Sequence, residues 1–152
     1  MSILWSLQLR CEAASVPFAR RLLLGAMETA GVDPDICYDL SVALSEACAN
    51  AVEHGGHGGG DAADYQVTAY MDGERCRIEV SDSGPGFDSG APSPVLPFLP
   101  EPGAEAENGR GLMLIRKLAD HVRVDNLPGA GGAVVSFDKL LKWRENAPLT
   151  AV

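Results

Sequence analysis

The stretch from Asp33 to His54 constrains this chain most. Its apolar residues Ile36, Leu40, Ala43, Leu44, Ala47, Ala51 and Val52 recur at three- and four-residue steps. With 3.6 residues per turn those positions share one face, so the segment reads as a long helix lying on an apolar layer. Asp33-Pro34 opens it, an acid at the cap and a proline in the first turn.

The flanking segments say what that layer is. Residues 3–11 alternate apolar and polar, the period of a strand. Ser15 is placed to cap a first helix with Pro17 in its first turn. Val16, Ala19, Leu22, Leu23, Ala26, Met27 and Ala30 follow at helical spacing, and Gly31 ends the run. Strands are expected near 64–72 and 74–82, joined tightly at Asp72-Gly73. Residues 83–108 carry six prolines and several acids without any period, which marks a functional lid or a disordered loop. A helix is predicted from about 111 to 120, with Leu112, Leu114, Ile115, Leu118 and Ala119 inward. Strands at 121–126 and 132–138 follow, then a short helix around Lys139–Trp143. Met113 and Phe137 read as core, Trp5 and Trp143 as terminal packing.

Helices and hairpins are segregated in this order. The expected fold class is therefore α/β: a two-layer sandwich, with three helices on one face of a mixed, largely antiparallel sheet. At 152 residues and 46% apolar the chain fits one domain, residues 1–144, with a flexible tail at 145–152.

Twenty-one acids against twelve bases give a net charge of −9. Such a surface repels phosphate backbones, so direct nucleic-acid binding is not expected. No apolar run reaches the roughly 20 residues of a membrane span, and the first residues lack the pattern of a secretory leader. Cys11, Cys37, Cys48 and Cys76 have no metal-like spacing and read as buried or half-buried free thiols. His54 and His57 lie three apart beside a glycine loop with no cysteine partners, a poor zinc site. The expectation is a soluble cytoplasmic protein.

Three constellations could carry chemistry. Glu46, Asn50 and His54 are each four residues apart and line one stripe of the long helix. An amide oxygen there is a hard ligand suited to Mg²⁺, with a carboxylate one turn away. Ile78-Glu79-Val80-Ser81-Asp82-Ser83-Gly84-Pro85-Gly86 delivers an acid from a strand into a turn with two glycines. The glycines let a ligand approach the backbone, and the carboxylate can accept from an amino group such as that of adenine. Asn108-Gly109-Arg110-Gly111 opens a helix, where unpaired N–H groups and the dipole favour phosphate. Taken singly, each has an ordinary structural explanation.

Their order and spacing resemble the GHKL superfamily of histidine-kinase-like ATPases, over about residues 5–140. A GxxxxGK[ST] loop is absent. Within that superfamily, Leu40 to Gly55 and Gly109 to Asp120 look most like the anti-sigma-factor serine kinases. The resemblance implies ATP and Mg²⁺ as cofactors, with Asn50 ligating the metal and Glu46 as general base for an incoming serine or threonine hydroxyl. It implies Asp82 on the adenine amine, Gly84 and Gly86 shaping that pocket, and Gly109 and Gly111 at the phosphates, with His54 and Arg110 assisting. The lid would span about 88–108. A sigma factor and an anti-anti-sigma antagonist would be the partners, and the chain a homodimer through its first strand and helix. A non-catalytic ATP-binding module acting by stoichiometric binding is the alternative.

Two departures bear on that alternative. Where the family has Gly-Thr, this chain reads Gly131-Gly132-Ala133-Val134, and no Lys or Arg lies between Arg77 and Arg110.

Overall fold

The computed structural model describes residues 2–56, 64–82, 106–126 and 132–145; at 54–56, 106–111 and 126 it describes the main chain alone. In chain order the elements are β1 (Ser2–Arg10), α1 (Ser15–Ala30), α2 (Pro34–Gly56), β2 (Asp64–Met71), β3 (Arg75–Asp82), α3 (Ala106–Leu118), β4 (His121–Asn126) and β5 (Ala133–Leu140). The sheet order is β1-β2-β3-β5-β4, and every neighbouring pair is antiparallel. The expected mixed sheet is corrected here. β3 and β4 run the same way, joined through α3, but β5 lies between them, so no parallel pair forms.

One sheet face carries the core. Tyr65, Val67 and Ala69 of β2, Cys76, Ile78 and Val80 of β3, and Val135 and Phe137 of β5 alternate with more exposed neighbours and are all buried. Against them lies α2, the middle of the helix layer, flanked by α1 and α3. α1 buries Ser15, Ala19, Leu23 and Met27, a strict four-residue stripe. Leu22 and Met113, expected inside, are 38% and 44% exposed. Leu22 stands on the flank of that stripe, and Met113 is two residues, about 200°, round the helix from buried Ile115.

Local chemistry sets the element ends. Asp33 caps α2: its Oδ1 accepts the Asp35 N–H at 2.8 Å, and its carbonyl takes the Cys37 N–H at 3.0 Å. Gly31 ends α1 in the left-handed region at φ 94°, which glycine adopts without a side-chain penalty, and its N–H donates to the Met27 and Glu28 carbonyls, both at 3.1 Å. Ser15 does not cap α1. Ala14 holds that position, and the Ser15 hydroxyl is turned to the Glu12 carbonyl at 2.7 Å and the Tyr65 hydroxyl at 2.6 Å.

The β2–β3 turn falls where expected but for another reason. Gly73 is not at positive φ; instead the Asp72 carboxylate accepts the N–H groups of Glu74 and Arg75, both at 2.8 Å. Those bonds hold its carboxyl below the usual range.

The helix expected around 139–143 is absent. Lys139 and Leu140 extend β5, and Trp143 forms an antiparallel bridge with Val32. Asp33 N–H to Lys142 O and Arg144 N–H to Gly31 O, both 2.8 Å, close that bridge, and the Trp143 indole donates to Gly73 O at 3.0 Å. Backbone pairing with the α1–α2 turn outweighs whatever helical preference five residues carry. All four cysteines are free thiols, Cys11 half-buried and the others buried. Among the described residues, no helix is long and apolar enough to cross a membrane.

Candidate nucleotide site

α2 presents its polar edge to one side only. Cys48 abuts Tyr65, whose hydroxyl meets Ser15 at the start of α1, so that flank of α2 faces α1. Asn50 lies two residues, about 200°, further round and therefore on the flank toward α3. It is 8% exposed, and its Nδ2 is buried with no hydrogen-bond partner among the described residues. A buried amide with an open donor costs about 1–3 kcal/mol and calls for a reason. Glu46, one turn back on the same stripe, is half-buried and makes no hydrogen bond or ion pair with described residues.

Asp82 is the last residue of β3 and is 8% exposed. It shares the helix-facing side with Val80 and Ile78. Directly across stand Tyr65 on β2 and Ala133 on β5. Ala133 brings a methyl group and no hydroxyl to the position opposite Asp82.

Asp82 and Asn50 lie at the same end of the sandwich. Cys11, in the β1–α1 turn, directs its thiol at the Ala51 carbonyl, 3.7 Å away and next to Asn50. The same thiol is pushed up by burial and then by the Asp82 and Asp64 carboxylates, which places Asp82 within electrostatic reach. The carboxylate at the end of β3 and the amide on α2 thus frame one region from two elements.

α3 begins at Ala106, earlier than expected, and takes in the last residues of the expected lid. Gly109, Arg110 and Gly111 are therefore inside the helix and do not lead into it. Only the first four N–H groups of a helix lack internal partners. Gly109 remains among them as the fourth residue, whereas the N–H of Gly111 falls within the ladder. Gly84, Gly86, His57 and most of the lid lie outside the described residues, as do the His54 ring and the Arg110 side chain. Among the described residues, no group of three or more His, Cys, Asp or Glu is disposed to hold a metal. An Mg²⁺ held by one amide oxygen and by phosphate oxygens needs no such group, and the Asn50 Oδ1 is a ligand of that kind, while the open Nδ2 donor fits an acceptor such as a phosphate oxygen.

Two features had no sequence signal. The alternation of β2 marks Tyr65 as inward but does not give its partners. The approach of Cys11 to α2 depends on a turn whose path only the fold defines.

This arrangement, a helix-borne amide and carboxylate beside a strand-end aspartate under an antiparallel sheet, defines a class. The family model for the histidine kinase-like ATPase domain matches residues 9–139, and the chain belongs to that family, on its anti-sigma-factor kinase branch. It is 34% identical over 131 residues to serine-protein kinase RsbW of Bacillus licheniformis, covering 83% of this chain and 78% of the relative. To RsbW of Bacillus subtilis it is 31% identical over 125 residues, covering 80% and 78%. Among solved structures, the RsbU and RsbW domains of a Mycobacterium tuberculosis protein share the fold with a TM-score of 0.62 at 22% identity. That match covers 92% of this chain but 34% of the longer protein. The catalytic domain of histidine kinase ThkA gives 0.51 at 15% identity, covering 90% and 98%.

Proposed function

We propose that this protein is an ATP-dependent anti-sigma factor that phosphorylates a serine or threonine of an anti-anti-sigma protein. The observation that carries the reading is the buried Asn50 side chain, at the same end of the fold as Asp82: its Nδ2 has no partner among the described residues and is open to an acceptor such as a phosphate oxygen, and its Oδ1 is the atom that would face a metal. Asn50 would hold Mg²⁺ and Asp82 the adenine amine, with Gly84 and Gly86 beside it. The phosphates would meet the first N–H groups of α3, Gly109 included, with Arg110 and His54 at the same end. Bound Mg²⁺ would supply positive charge to the phosphate oxygens.

Glu46 then takes the proton from the substrate hydroxyl as its oxygen forms a bond to the γ-phosphorus. The bond from that phosphorus to the β-phosphate oxygen breaks, and ADP leaves. The carboxylate lies one helical turn from the metal-binding amide, close enough to serve one reacting centre. A cytoplasmic homodimer through β1 and α1 belongs to this reading. Ile3 at 60%, Phe18 at 44% and Leu22 at 38% exposure on those elements support it.

The alternative, stoichiometric partner binding without turnover, is favoured by Ala133 opposite Asp82 and by the lack of Lys or Arg between Arg77 and Arg110. Incubation with γ-labelled ATP and candidate antagonist domains separates the two. The kinase reading expects label on one serine or threonine, and a loss of roughly 10²–10⁴-fold in Glu46→Gln with ATP affinity kept. ATP binding by wild type without transfer to any antagonist supports the module instead.

A further inference from the structure

A buried chain of polar groups runs behind the site, on the flank of α2 away from Asn50. The Ser15 hydroxyl donates to the Glu12 carbonyl at 2.7 Å, which uses its only hydrogen. The Tyr65 hydroxyl, 2.6 Å from Ser15 Oγ, must therefore be the donor in that second bond. The Cys48 thiol of α2 is buried in the same core cluster, near enough to the Tyr65 hydroxyl for the two groups to perturb each other. The proton order is thus fixed from Tyr65 through Ser15 to Glu12, and the chain links β2 to the β1–α1 turn, which Cys11 in its turn joins to α2 at the Ala51 carbonyl. Burial is close to complete: Tyr65 is 2% exposed, Cys48 0% and Ser15 9%. Such a network in a dry interior is rigid when satisfied.

Its position matters. Tyr65 stands directly opposite Asp82 on the same sheet face. Cys48 lies on α2 between Glu46 and Asn50, and Cys11, in the same β1–α1 turn as Glu12, points its thiol at the Ala51 carbonyl. The network therefore ties α2 to β2 at the level of the two residues that must address opposite ends of one nucleotide.

We propose that Tyr65 is a positioning residue: anchored by Ser15, it sets the height of α2 over the sheet and hence the separation between Asn50 and Asp82. This rests on the ATP reading given above. One end of the ligand contacts Asp82 and the other Asn50, so a shift of α2 spoils their simultaneous engagement while leaving each end able to bind. The consequence is specific. Without the Tyr65 hydroxyl, the gain in ATP affinity that Mg²⁺ brings through Asn50 should shrink, while metal-free binding through Asp82 stays.

The test is calorimetric titration of the full chain with ATP, in Mg²⁺ and in EDTA, for wild type, Tyr65→Phe and Ser15→Ala. Tyr65→Phe should weaken Mg²⁺-ATP binding roughly tenfold, the scale of a small misplacement, and change EDTA-ATP binding by less than about twofold. Ser15→Ala should shift the Mg²⁺ gain in the same direction. A loss that is equal in both buffers, or absent from both, overturns the positioning role. Should Tyr65→Phe fail to fold, Ser15→Ala alone decides, because it cuts the same link while keeping the ring. A wild type that binds ATP in neither buffer overturns the nucleotide reading itself, an outcome distinct from an unaltered Mg²⁺ gain in the variants.

Discussion

Asn50→Leu should make the nucleotide-free protein more stable and disable it. The Asn50 Nδ2 is buried without a partner among the described residues, and the residue is 8% exposed. An unmet donor in that position costs about 1–3 kcal/mol. Leucine has nearly the same branched shape and removes the donor, and it is the better helix former by a few tenths of a kcal/mol. The expected gain is therefore about 1–3 kcal/mol. For a chain of this size that corresponds to a rise in Tm of roughly 3–10 °C. The amide oxygen is lost at the same time, so Mg²⁺-dependent ATP binding should vanish. Thermal melts without nucleotide and calorimetry with Mg²⁺-ATP read the two effects separately. A variant that melts lower than wild type and still binds Mg²⁺-ATP would refute the reasoning. Asn50 would then be a packing residue with no ligand role. The trade-off is what a site held open for a ligand implies, since natural chains keep such unmet groups at a cost in stability.

Three further outcomes follow from the same geometry. Asp82→Asn should lower ATP affinity, and wild type should bind GTP poorly because its ring carries a carbonyl where adenine has an amine; equal ATP and GTP affinities in calorimetry would remove Asp82 from the adenine contact. Ala133→Thr places a hydroxyl opposite Asp82 in register and should tighten ATP by about 0.5–1.5 kcal/mol, up to roughly tenfold in Kd; an unchanged Kd means that position does not meet the nucleotide. Burial pushes the Cys48 and Cys76 thiols from 9.0 up to about 12, so the fold favours their neutral form. That stability is fully present below pH 9 and is lost between pH 9 and 12, as thiols of the unfolded chain ionise first. By pH 10 the loss is roughly 1 kcal/mol per thiol. Urea midpoints against pH should fall in that window, and Cys76→Ala should flatten the slope; identical slopes would show the thiol is not the titrating group.

The order of elements, the long α2 and the three motifs were legible in the sequence because each rests on local chemistry. Periodicity places Leu40, Ala43, Leu44 and Ala47 on one face, and Asp33-Pro34 and Gly31 mark ends through capping and backbone preference alone. Glu46, Asn50 and Asp82 could be named from spacing for the same reason. Other features depended on contacts between residues far apart in the chain, which no local pattern encodes. Lys139 to Trp143 pair with β3 and with the α1–α2 turn instead of coiling, because backbone partners were waiting there. The sheet is wholly antiparallel because β5 inserts between β3 and β4. Ser15 turned away from its cap toward a tyrosine fifty residues on, since burying the Tyr65 hydroxyl required a partner. The sequence by itself named the groups proposed to hold a nucleotide. Only the tertiary structure decided that Asn50 is buried with an open donor and that Asp82 faces Ala133 and Tyr65, because burial and register belong to the packed sheet and helices together.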